Sequence, residues 1–472
     1  MDTTMYREQI DHYIDMHKEE MIEDLKTLVR IDSQRTPAKE GMPYGEGPAK
    51  AIAVAKEMLD KAGFITRNYE NHVVTADFSE EEKQLDILAH LDVVPVTDDW
   101  TVTKPFVPLV VGDRIYGRGT ADDKGPAIAA FYAMKAIKEL NIPLKKNVRL
   151  ILGADEECGS EDLEYYYSIE EEAPMSFTPD ADFPVINIEK GRLSKEFTAS
   201  FEKSADLPKI VSVDGGDKSN VVPGRAKAVL EGFSLEVVEE KVKEAQNSTK
   251  ANFTVTQEDG KIVVSCKGQS AHASAPEGGV NAVTALMTLL VSLPAAPSAG
   301  FEKLCAVAKL FPHHDHQGDA LGIHMEDEIS GKITVCFSVF HYDETSLRGE
   351  FDSRAPICAN DENLTEVVHR KLETEGIVME EGNMTPPHHV PADSPLVKTL
   401  LESYERYTGI KGKPLAIGGG TYVHHLKRGV AFGCEDPAVD NHMHGDDEFM
   451  LLDVLFMSAK IFADAIIKLC NL

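Results

Sequence analysis

The chain has 472 residues, which is longer than one hydrophobic core usually supports, so two domains are expected. Hydrophobic residues make up 42% and charged residues 27%, which excludes a disordered chain. There are 48 basic and 79 acidic residues, giving a formal net charge of −31. Because such a surface repels phosphate backbones and anionic membranes, we expect neither nucleic acid nor a membrane as partner.

Two further features of the composition predict a cytoplasmic protein. The seven cysteines are widely spaced, odd in number and without a CxxC pair, which is typical of reduced thiols in a reducing compartment. The sequence has no apolar span of about 18 residues, and its acidic, amphipathic N-terminus does not resemble a signal peptide.

The first quarter of the chain alternates predicted helices and strands. Helical periodicity runs over residues 8–31, and a second helix over 49–62 follows Gly47-Pro48. Two short strands over 64–69 and 73–78 are expected to form a hairpin-like pair. The buried strand LDILA (85–89) comes next and ends in His90-Leu91-Asp92.

The stretch GRGTADDKGP (117–126) is a glycine-rich turn that leads into an apolar helix over 127–140. Pro126 is tolerated in the first turn of that helix. Two adjacent carboxylates, Asp122 and Asp123, therefore lie at the head of a buried helix. This arrangement suits a bound cation, but an aspartate that caps the helix would give the same pattern.

Further along, two more apolar strands end in acidic residues. The strand over 147–153 precedes Asp155-Glu156-Glu157, and the piece over 175–178 precedes Pro179-Asp180. The alternation predicts an α/β catalytic domain with a mixed, mostly parallel sheet flanked by helices. Because ligands bind beyond the carboxyl ends of strands in such sheets, we expect these polar residues to gather there.

From about residue 191 the pattern changes to alternating strands beside amphipathic helices, in two similar sets. The helices SLEVVEEKVKEA and NLTEVVHRKLETE resemble each other and suggest an internal duplication. We therefore predict an inserted α+β lid domain with two similar halves over 191–385. It interrupts a catalytic domain of 1–190 and 386–472, whose last part contains helices from Ser394-Pro395 and over 448–469.

One set of side chains has the composition of a metal site. It contains only imidazole and carboxylate groups, which suits Zn²⁺ and also Mn²⁺ or Co²⁺: His90, Asp122, Glu157, Asp180 and His444. Five ligands are too many for one tetrahedral ion, so we expect two divalent ions about 3.5–4 Å apart that share a carboxylate. Asp92 is close enough to orient His90. Glu156 remains free to act as general base on a water.

Several neighbouring residues compete for these roles. His442 is an alternative to His444, which we prefer because it leads an HxxxE spacing. Cys158 could be a nucleophile, but the sequence offers it no histidine partner, so we expect it to serve packing. The histidine-rich stretch around His313 could bind a further ion, although a solvated loop is the simpler interpretation.

These motifs together resemble the M20 metallopeptidase family, and most closely its PepV-type dipeptidases. The resemblance covers nearly the whole chain and depends on five motifs in order: His-Leu-Asp, GRGTADDKGP, Asp-Glu-Glu, Thr-Pro-Asp and the final His-x-x-x-Glu. It implies a dinuclear site, usually zinc. His90 and Asp180 would hold one ion, Glu157 and His444 the other, and Asp122 would bridge them. Cys158 departs from the family, which often has a hydroxyl residue there.

The resemblance also implies roles for residues outside the metal site. His272, in Ser-Ala-His-Ala, would polarise the scissile carbonyl and stabilise the oxyanion. Asn220 and Arg354 would hold the free carboxylate of the substrate. A glycine-rich turn would line the same pocket with Gly419, Gly420 and Thr421. The duplicated lid resembles an arrangement in which one chain supplies both halves, so a monomer is expected.

The function expected from this pattern is metal-dependent hydrolysis of dipeptides or very short peptides by a water that the dinuclear site activates. An alternative on the same site is an amidohydrolase that removes the acyl group from N-acyl amino acids. A binding protein that holds metal without catalysis is a more distant possibility, since Glu156 and His272 are both in place.

Overall fold

The computed structural model describes residues 4–472. In that part of the chain, none of the helices combines the length and the apolar character needed to cross a membrane. The α-helices are α1 Thr4–Met16, α2 Lys18–Val29, α3 Glu46–Lys61, α4 Lys124–Glu139, α5 Glu161–Tyr167, α6 Leu235–Thr249, α7 Ala282–Ser292, α8 Ala299–Leu310, α9 Thr365–Thr374, α10 Pro395–Thr408 and α11 Leu452–Leu469.

The strands are β1 Ile65–Tyr69, β2 Val73–Asp77, β3 Lys83–His90, β4 Leu109–Val111, β5 Arg114–Tyr116, β6 Asn147–Gly153, β7 Met175–Thr178, β8 Val185–Glu189, β9 Gly191–Ser200, β10 Lys209–Gly215, β11 Arg225–Glu231, β12 Asn252–Glu258, β13 Lys261–Lys267, β14 Glu326–Asp327, β15 Gly331–Lys332, β16 Thr334–Tyr342, β17 Ser346–Ala355, β18 Val378–Met379, β19 His388–His389, β20 Pro414–Ile417, β21 Gly429–Ala431 and β22 Phe449–Leu451. Short 3₁₀ turns cover Glu156–Cys158, Pro276–Gly278 and Tyr422–His425.

The chain divides into two compact units. The first contains the chain up to Ile188 together with His388–Leu415 and Gly420–Leu472. The second contains Glu189–Pro387 and also Ala416–Gly419. The last four residues differ from the sequence-based division, which placed them in the catalytic domain. One contact between these residues and the rest of the second unit is the hydrogen bond from the Arg354 guanidinium to the carbonyl oxygen of Gly418.

A nine-stranded mixed sheet runs through the first unit in the order β1-β2-β6-β3-β7-β21-β8-β19, with β20 beside β8. Its centre, β6-β3-β7-β21, is parallel, whereas the β1–β2, β2–β6 and β21–β8 pairs are antiparallel. The predicted α/β class with a mixed sheet is confirmed, and the parallel pairing is concentrated in the middle. In register, His90 lies beside Gly153, and Thr178 lies beside Ala431.

The parallel centre is buried because its sequence is apolar on both faces. Seven of the eight residues of β3 are buried, as expected for a strand covered on both sides. Helix α4 is buried from Lys124 to Ile137 and packs against α2, α11 and the sheet. A helix that is apolar all round must lie in the interior. The acidic turn before α4 is therefore held against the core.

The second unit is built on an eight-stranded sheet in the order β12-β13-β11-β10-β16-β17-β9-β18. Strands β10 and β16 pair antiparallel at its centre. On each side of this pair a hairpin (β10–β11 or β16–β17) is followed by a helix (α6 or α9) and an outer strand (β12 or β18). The two similar halves predicted from the sequence are thus the two sides of one sheet.

Two predicted helices differ clearly from the structure, and a third helix was not predicted. The single helix expected over 8–31 is two helices that meet at His17. The last helix begins at Leu452, so Glu448 precedes β22 and does not lie on a helix. Helix α8 was not predicted.

Asp86 supplies a test of buried charge in the first unit. This carboxylate on β3 is fully buried, and its Oδ2 accepts from the backbone N–H of Ala173 at 3.0 Å and from the Tyr167 hydroxyl at 3.3 Å. Its Oδ1 has no hydrogen-bond partner among residues 4–472. Burial raises the pKa of Asp86 from 3.8 to about 6.

We expect stability at this site to fall as the pH rises. The folded-state pKa is above the unfolded value, so the stabilisation is complete below the unfolded pKa and is lost as the pH rises through about 6. Asp86→Asn mimics the neutral form and does not titrate. At each pH, the unfolding free energy of the variant is subtracted from that of the wild type. This difference should decrease by up to about 3 kcal/mol from acidic to neutral pH. Urea unfolding at several pH values measures it, and parallel curves would contradict the prediction.

Candidate metal centre

The predicted ligands gather at one edge of the central sheet. His90 is the last residue of β3, Glu157 follows β6, and Asp180 follows β7. Because β3, β6 and β7 are parallel, their carboxyl ends lie at the same edge. Asp122 comes from the turn before α4, and His444 from the loop before β22.

The first group of candidate ligands is His90, Asp122 and Asp180, whose ligand atoms lie within 4.8 Å of one another. Nε2 of His90 is 2.9 Å from Oδ1 of Asp122 and 3.6 Å from Oδ2 of Asp180. Nδ1 of His90 lies 3.0 Å from the carbonyl oxygen of Asp92. A carbonyl oxygen can only accept, so Nδ1 carries the proton and Nε2 faces the two carboxylates.

The second group is Asp122, Glu157 and His444, and it satisfies the same 4.8 Å limit. Nε2 of His444 is 2.7 Å from Oδ2 of Asp122 and 3.3 Å from Oε1 of Glu157. The two oxygens of Asp122 therefore face different histidines, and this residue belongs to both groups.

Asp92 connects the two strand ends. Its carboxylate accepts hydrogen bonds from the backbone N–H groups of Glu156 at 3.2 Å and Glu157 at 3.1 Å. Its own backbone carbonyl accepts from His90. One residue thus fixes the histidine ring and the turn that carries both glutamates.

The acidic side chains in this region have shifted pKa values. Burial, followed by the negative charges of Asp180, Glu157 and Asp122, raises the pKa of Glu156 well above its ordinary value. Burial and the charge of Asp122 raise the pKa of Glu157 to about 7. Hydrogen bonds to Asp122 and Glu157 raise the pKa of His444 to about 11. The shifts of the two glutamates reflect burial and repulsion between carboxylates, whereas the shift of His444 reflects its attraction to them.

The residues present fit a pair of divalent cations. The donors are imidazole nitrogens and carboxylate oxygens with no thiolate, which is the chemistry of Zn²⁺, Mn²⁺ and Co²⁺ sites. Among the described residues, the buried Oε1 of Glu157 has no hydrogen-bond partner except Nε2 of His444, 3.3 Å away. Positive charge between the two groups would also relieve the repulsion that raises the carboxylate pKa values.

The roles of Glu448 and Arg118 were not predicted from the sequence. Glu448 is fully buried, and its Oε1 accepts from the backbone N–H groups of Gly119 at 3.0 Å, Ala121 at 2.9 Å and Asp122 at 3.3 Å. Its Oε2 accepts from the Arg118 guanidinium. Both residues lie within the motifs that contain the candidate ligands, but no sequence pattern indicates their hydrogen bonds to the backbone.

Tyr422 and Asp162 hold the end of β6 in a similar way. The Tyr422 hydroxyl donates to Oδ2 of Asp162, which also accepts from the backbone N–H groups of Ala154 at 2.6 Å and Asp155 at 3.0 Å. The Tyr422 ring meets the His90 ring edge-on, with centroids 6.1 Å apart. Neither residue was predicted to contribute to the site.

In the second unit, the structure brings Asn220 close to His272. The backbone N–H of Ala273 donates to the carbonyl oxygen of Asn220 at 2.9 Å, and that of Val222 donates to Ala271 at 2.9 Å. Nδ1 of His272 accepts from the backbone N–H of Ser274 at 3.2 Å. Because Nδ1 accepts, the neutral ring carries its proton on Nε2 and can donate a hydrogen bond from there.

Arg354, in the same unit, is buried and held in place. Its Nε is 2.7 Å from Oδ1 of Asp352, and one Nη2 hydrogen bond reaches Oδ2 at 3.2 Å. In the adjacent turn a side chain at Gly418 would clash, because its Cβ would lie 2.8 Å from the Cβ of Ser274. Gly419 has room for a side chain.

The remaining predicted residues of that turn, Gly420 and Thr421, belong to the first unit. The Thr421 side chain accepts from the backbone N–H of Val423 and caps the Tyr422–His425 turn.

Among residues 4–472, the alternative sites do not form metal-ligand groups. The His313 ring contacts the Thr284 hydroxyl at 2.7 Å and the Thr249 carbonyl oxygen at 3.1 Å. Nδ1 of His442 lies 3.1 Å from the carbonyl oxygen of Asp446. Cys158 is exposed. The only groups of three potential ligands in the described chain are the two that share Asp122.

Comparison with known proteins agrees with this fold. The profile of peptidase family M20/M25/M40 matches residues 87–468, a range that contains every candidate metal ligand. The chain therefore belongs to the M20 peptidase family, as its motifs predicted, and is an enzyme of that family.

Curated relatives match over nearly the whole chain. The Bacillus subtilis (strain 168) protein named "Putative dipeptidase YtjP" is 37% identical over 460 residues, covering 96% of this chain and 98% of the relative. The Beta-Ala-Xaa dipeptidase of Lactobacillus delbrueckii subsp. lactis is 34% identical over 459 residues, covering 96% of each.

Solved structures support the fold. Human carnosine dipeptidase 1 matches with a TM-score of 0.58 at 15% identity, covering 99% of both chains. The dipeptidase Dug1p from Saccharomyces cerevisiae matches with a TM-score of 0.59 at 13% identity, covering 100% of this chain and 99% of that one.

The shared position of Asp122 predicts unequal effects of two similar substitutions. Asp122→Asn should lower metal content from about two ions per chain to below about one, because both groups lose an oxygen ligand. Asp180→Asn should remove about one ion, since it affects only the first group. Elemental analysis after gel filtration measures both, and equal losses in the two variants would contradict the shared role.

Proposed function

We propose that this chain hydrolyses dipeptides, or very short peptides, at a dinuclear metal site with Glu156 as general base. The observation that carries the proposal is the pair of ligand groups that share Asp122, with Glu156 on the turn that also bears Glu157. The names of the curated relatives, both dipeptidases, support a short peptide as substrate.

The metal pair, when bound, would polarise the scissile carbonyl and lower the pKa of a water. The ligand set favours Zn²⁺, with Mn²⁺ and Co²⁺ as alternatives. Glu156 takes the proton from the attacking water and later gives it to the leaving amine. Burial raises the pKa of Glu156 above its ordinary value, which favours a carboxylate that both accepts a proton and returns it. The Asp92 carboxylate accepts a hydrogen bond from the backbone N–H of Glu156, which fixes the position of the Glu156 backbone.

The second unit acts as a lid in this proposal. His272 donates from Nε2 to the oxygen on which negative charge develops, and Asn220 and Arg354 bind the free carboxylate of the substrate. A carboxylate suits Arg354 because Asp352 presets the orientation of its guanidinium. Gly419, Gly420 and Thr421 would line the same pocket. The chain is proposed to act as a monomer in the cytoplasm.

A substrate panel tests the reaction. With Zn²⁺ or Mn²⁺ added, we expect hydrolysis of α-linked and β-alanyl dipeptides at rates at least about tenfold above those for N-acetyl amino acids. Glu156→Gln is the control: it should keep both metals and lose nearly all activity, because the base alone is removed. Faster cleavage of the N-acetyl compounds would favour the amidohydrolase. Metal binding without any turnover would favour the non-catalytic alternative.

His272→Ala should lower kcat by about 10²–10³-fold, the usual effect of losing one donor to an oxyanion. Its metal content should equal that of the wild type, because His272 is in neither ligand group. Steady-state kinetics and metal analysis measure the two quantities separately. Unchanged kcat would exclude the lid histidine from the mechanism.

A further inference from the structure

Glu448 connects the two loops that carry the shared ligand and the last histidine. Its carboxylate accepts the three backbone N–H groups of Gly119, Ala121 and Asp122 on one loop. Arg118, which it also binds, donates from Nη2 to the carbonyl oxygen of Gly445 at 2.9 Å, and Gly445 is the residue after His444. The backbones of the two loops also join where β5 pairs with β22.

The contacts of this pair are concentrated at the site. Arg118 and Glu448 are 2% and 0% exposed. Burying two charges costs free energy that their attraction often fails to recover, and apolar residues of similar volume usually stabilise a fold as well or better. Such a pair is therefore a weak source of stability. What it supplies here is geometry, since a carboxylate that accepts three N–H groups fixes their positions.

We propose that Glu448 is a positioning residue for the metal centre, and that with Arg118 it holds Asp122 and His444 at the separation that binds the second ion. Glu448 belongs to neither ligand group. It acts through the backbone of Asp122 and, by way of Arg118, through the backbone next to His444. The inference rests on the proposed dinuclear site.

The test compares metal binding with folding. Glu448→Gln keeps the size of the side chain and removes its charge. Asp77→Asn is the matched control, because Asp77 also pairs with an arginine, Arg149, at 2.8 Å in the first unit. That pair lies toward the start of β6, away from the strand end that leads to the ligands. Co²⁺ titration followed by visible absorption, and Zn²⁺ competition with a chelator, measure the metal affinity. Thermal unfolding of the metal-free proteins measures stability.

We expect Glu448→Gln to weaken binding of the second Co²⁺ at least about tenfold and to change the absorption spectrum of the bound Co²⁺. Asp77→Asn should lower the melting temperature but bind both ions with wild-type affinity. If Glu448→Gln alone folds poorly, the double variant Arg118→Gln/Glu448→Gln removes the unpaired buried charge. It should fold and still bind the second ion weakly.

Two results would overturn the inference while the dinuclear proposal stands. In one, Glu448→Gln or the double variant binds two Co²⁺ with wild-type affinity and spectrum. In the other, Asp77→Asn weakens metal binding as much as Glu448→Gln does. A wild-type chain that binds fewer than two Co²⁺ would refute the dinuclear site itself, and the positioning role with it.

Discussion

The rest of the structure depends on bringing several carboxylates together at a place where water cannot separate their charges. Asp122, Glu156, Glu157 and Asp180 come from two strand ends and one helix start. Their repulsion and burial raise the pKa values of the two glutamates and of Asp180. Fixed positions held by other groups, together with protonation or bound cations, offset the cost of such a cluster.

Those positions are fixed by hydrogen bonds from the backbone to carboxylates that are not candidate ligands. Asp92 receives the N–H groups of the glutamate turn, Asp162 those at the end of β6, and Glu448 those of the turn before α4. Asp123 receives the N–H of His90 at 3.0 Å. The backbones at His90, Asp122 and Glu157 are therefore each held by a carboxylate outside the two ligand groups, which explains why the region contains more carboxylates than those groups include.

The elements and site residues that a local sequence pattern determines could be predicted from the sequence. The strand over 147–153 was correct to the residue because an apolar run is bounded by charged residues, and the proposed ligands stood in recognisable motifs. The break at His17 was not predictable, because helical periodicity continues across it. The role of Glu448 depends on backbone N–H groups more than 300 residues away, as the separation of 327 between Ala121 and Glu448 illustrates. No local pattern encodes such a contact.

The pairing of β10 with β16 has a consequence for how the second unit could have arisen and whether it can be divided. In one half, the strand beside the outer strand is β13, which comes after helix α6 in the chain. In the other half, the corresponding strand is β9, which comes before the hairpin β16–β17 and helix α9. The chain order of the strands in one half is therefore a circular permutation of the order in the other. Strands β10 and β16 pair over three residues, Val213, Asp214 and Gly215 with Tyr342, His341 and Phe340. Separating the halves would expose this edge on each piece, and an exposed strand edge can pair with another chain.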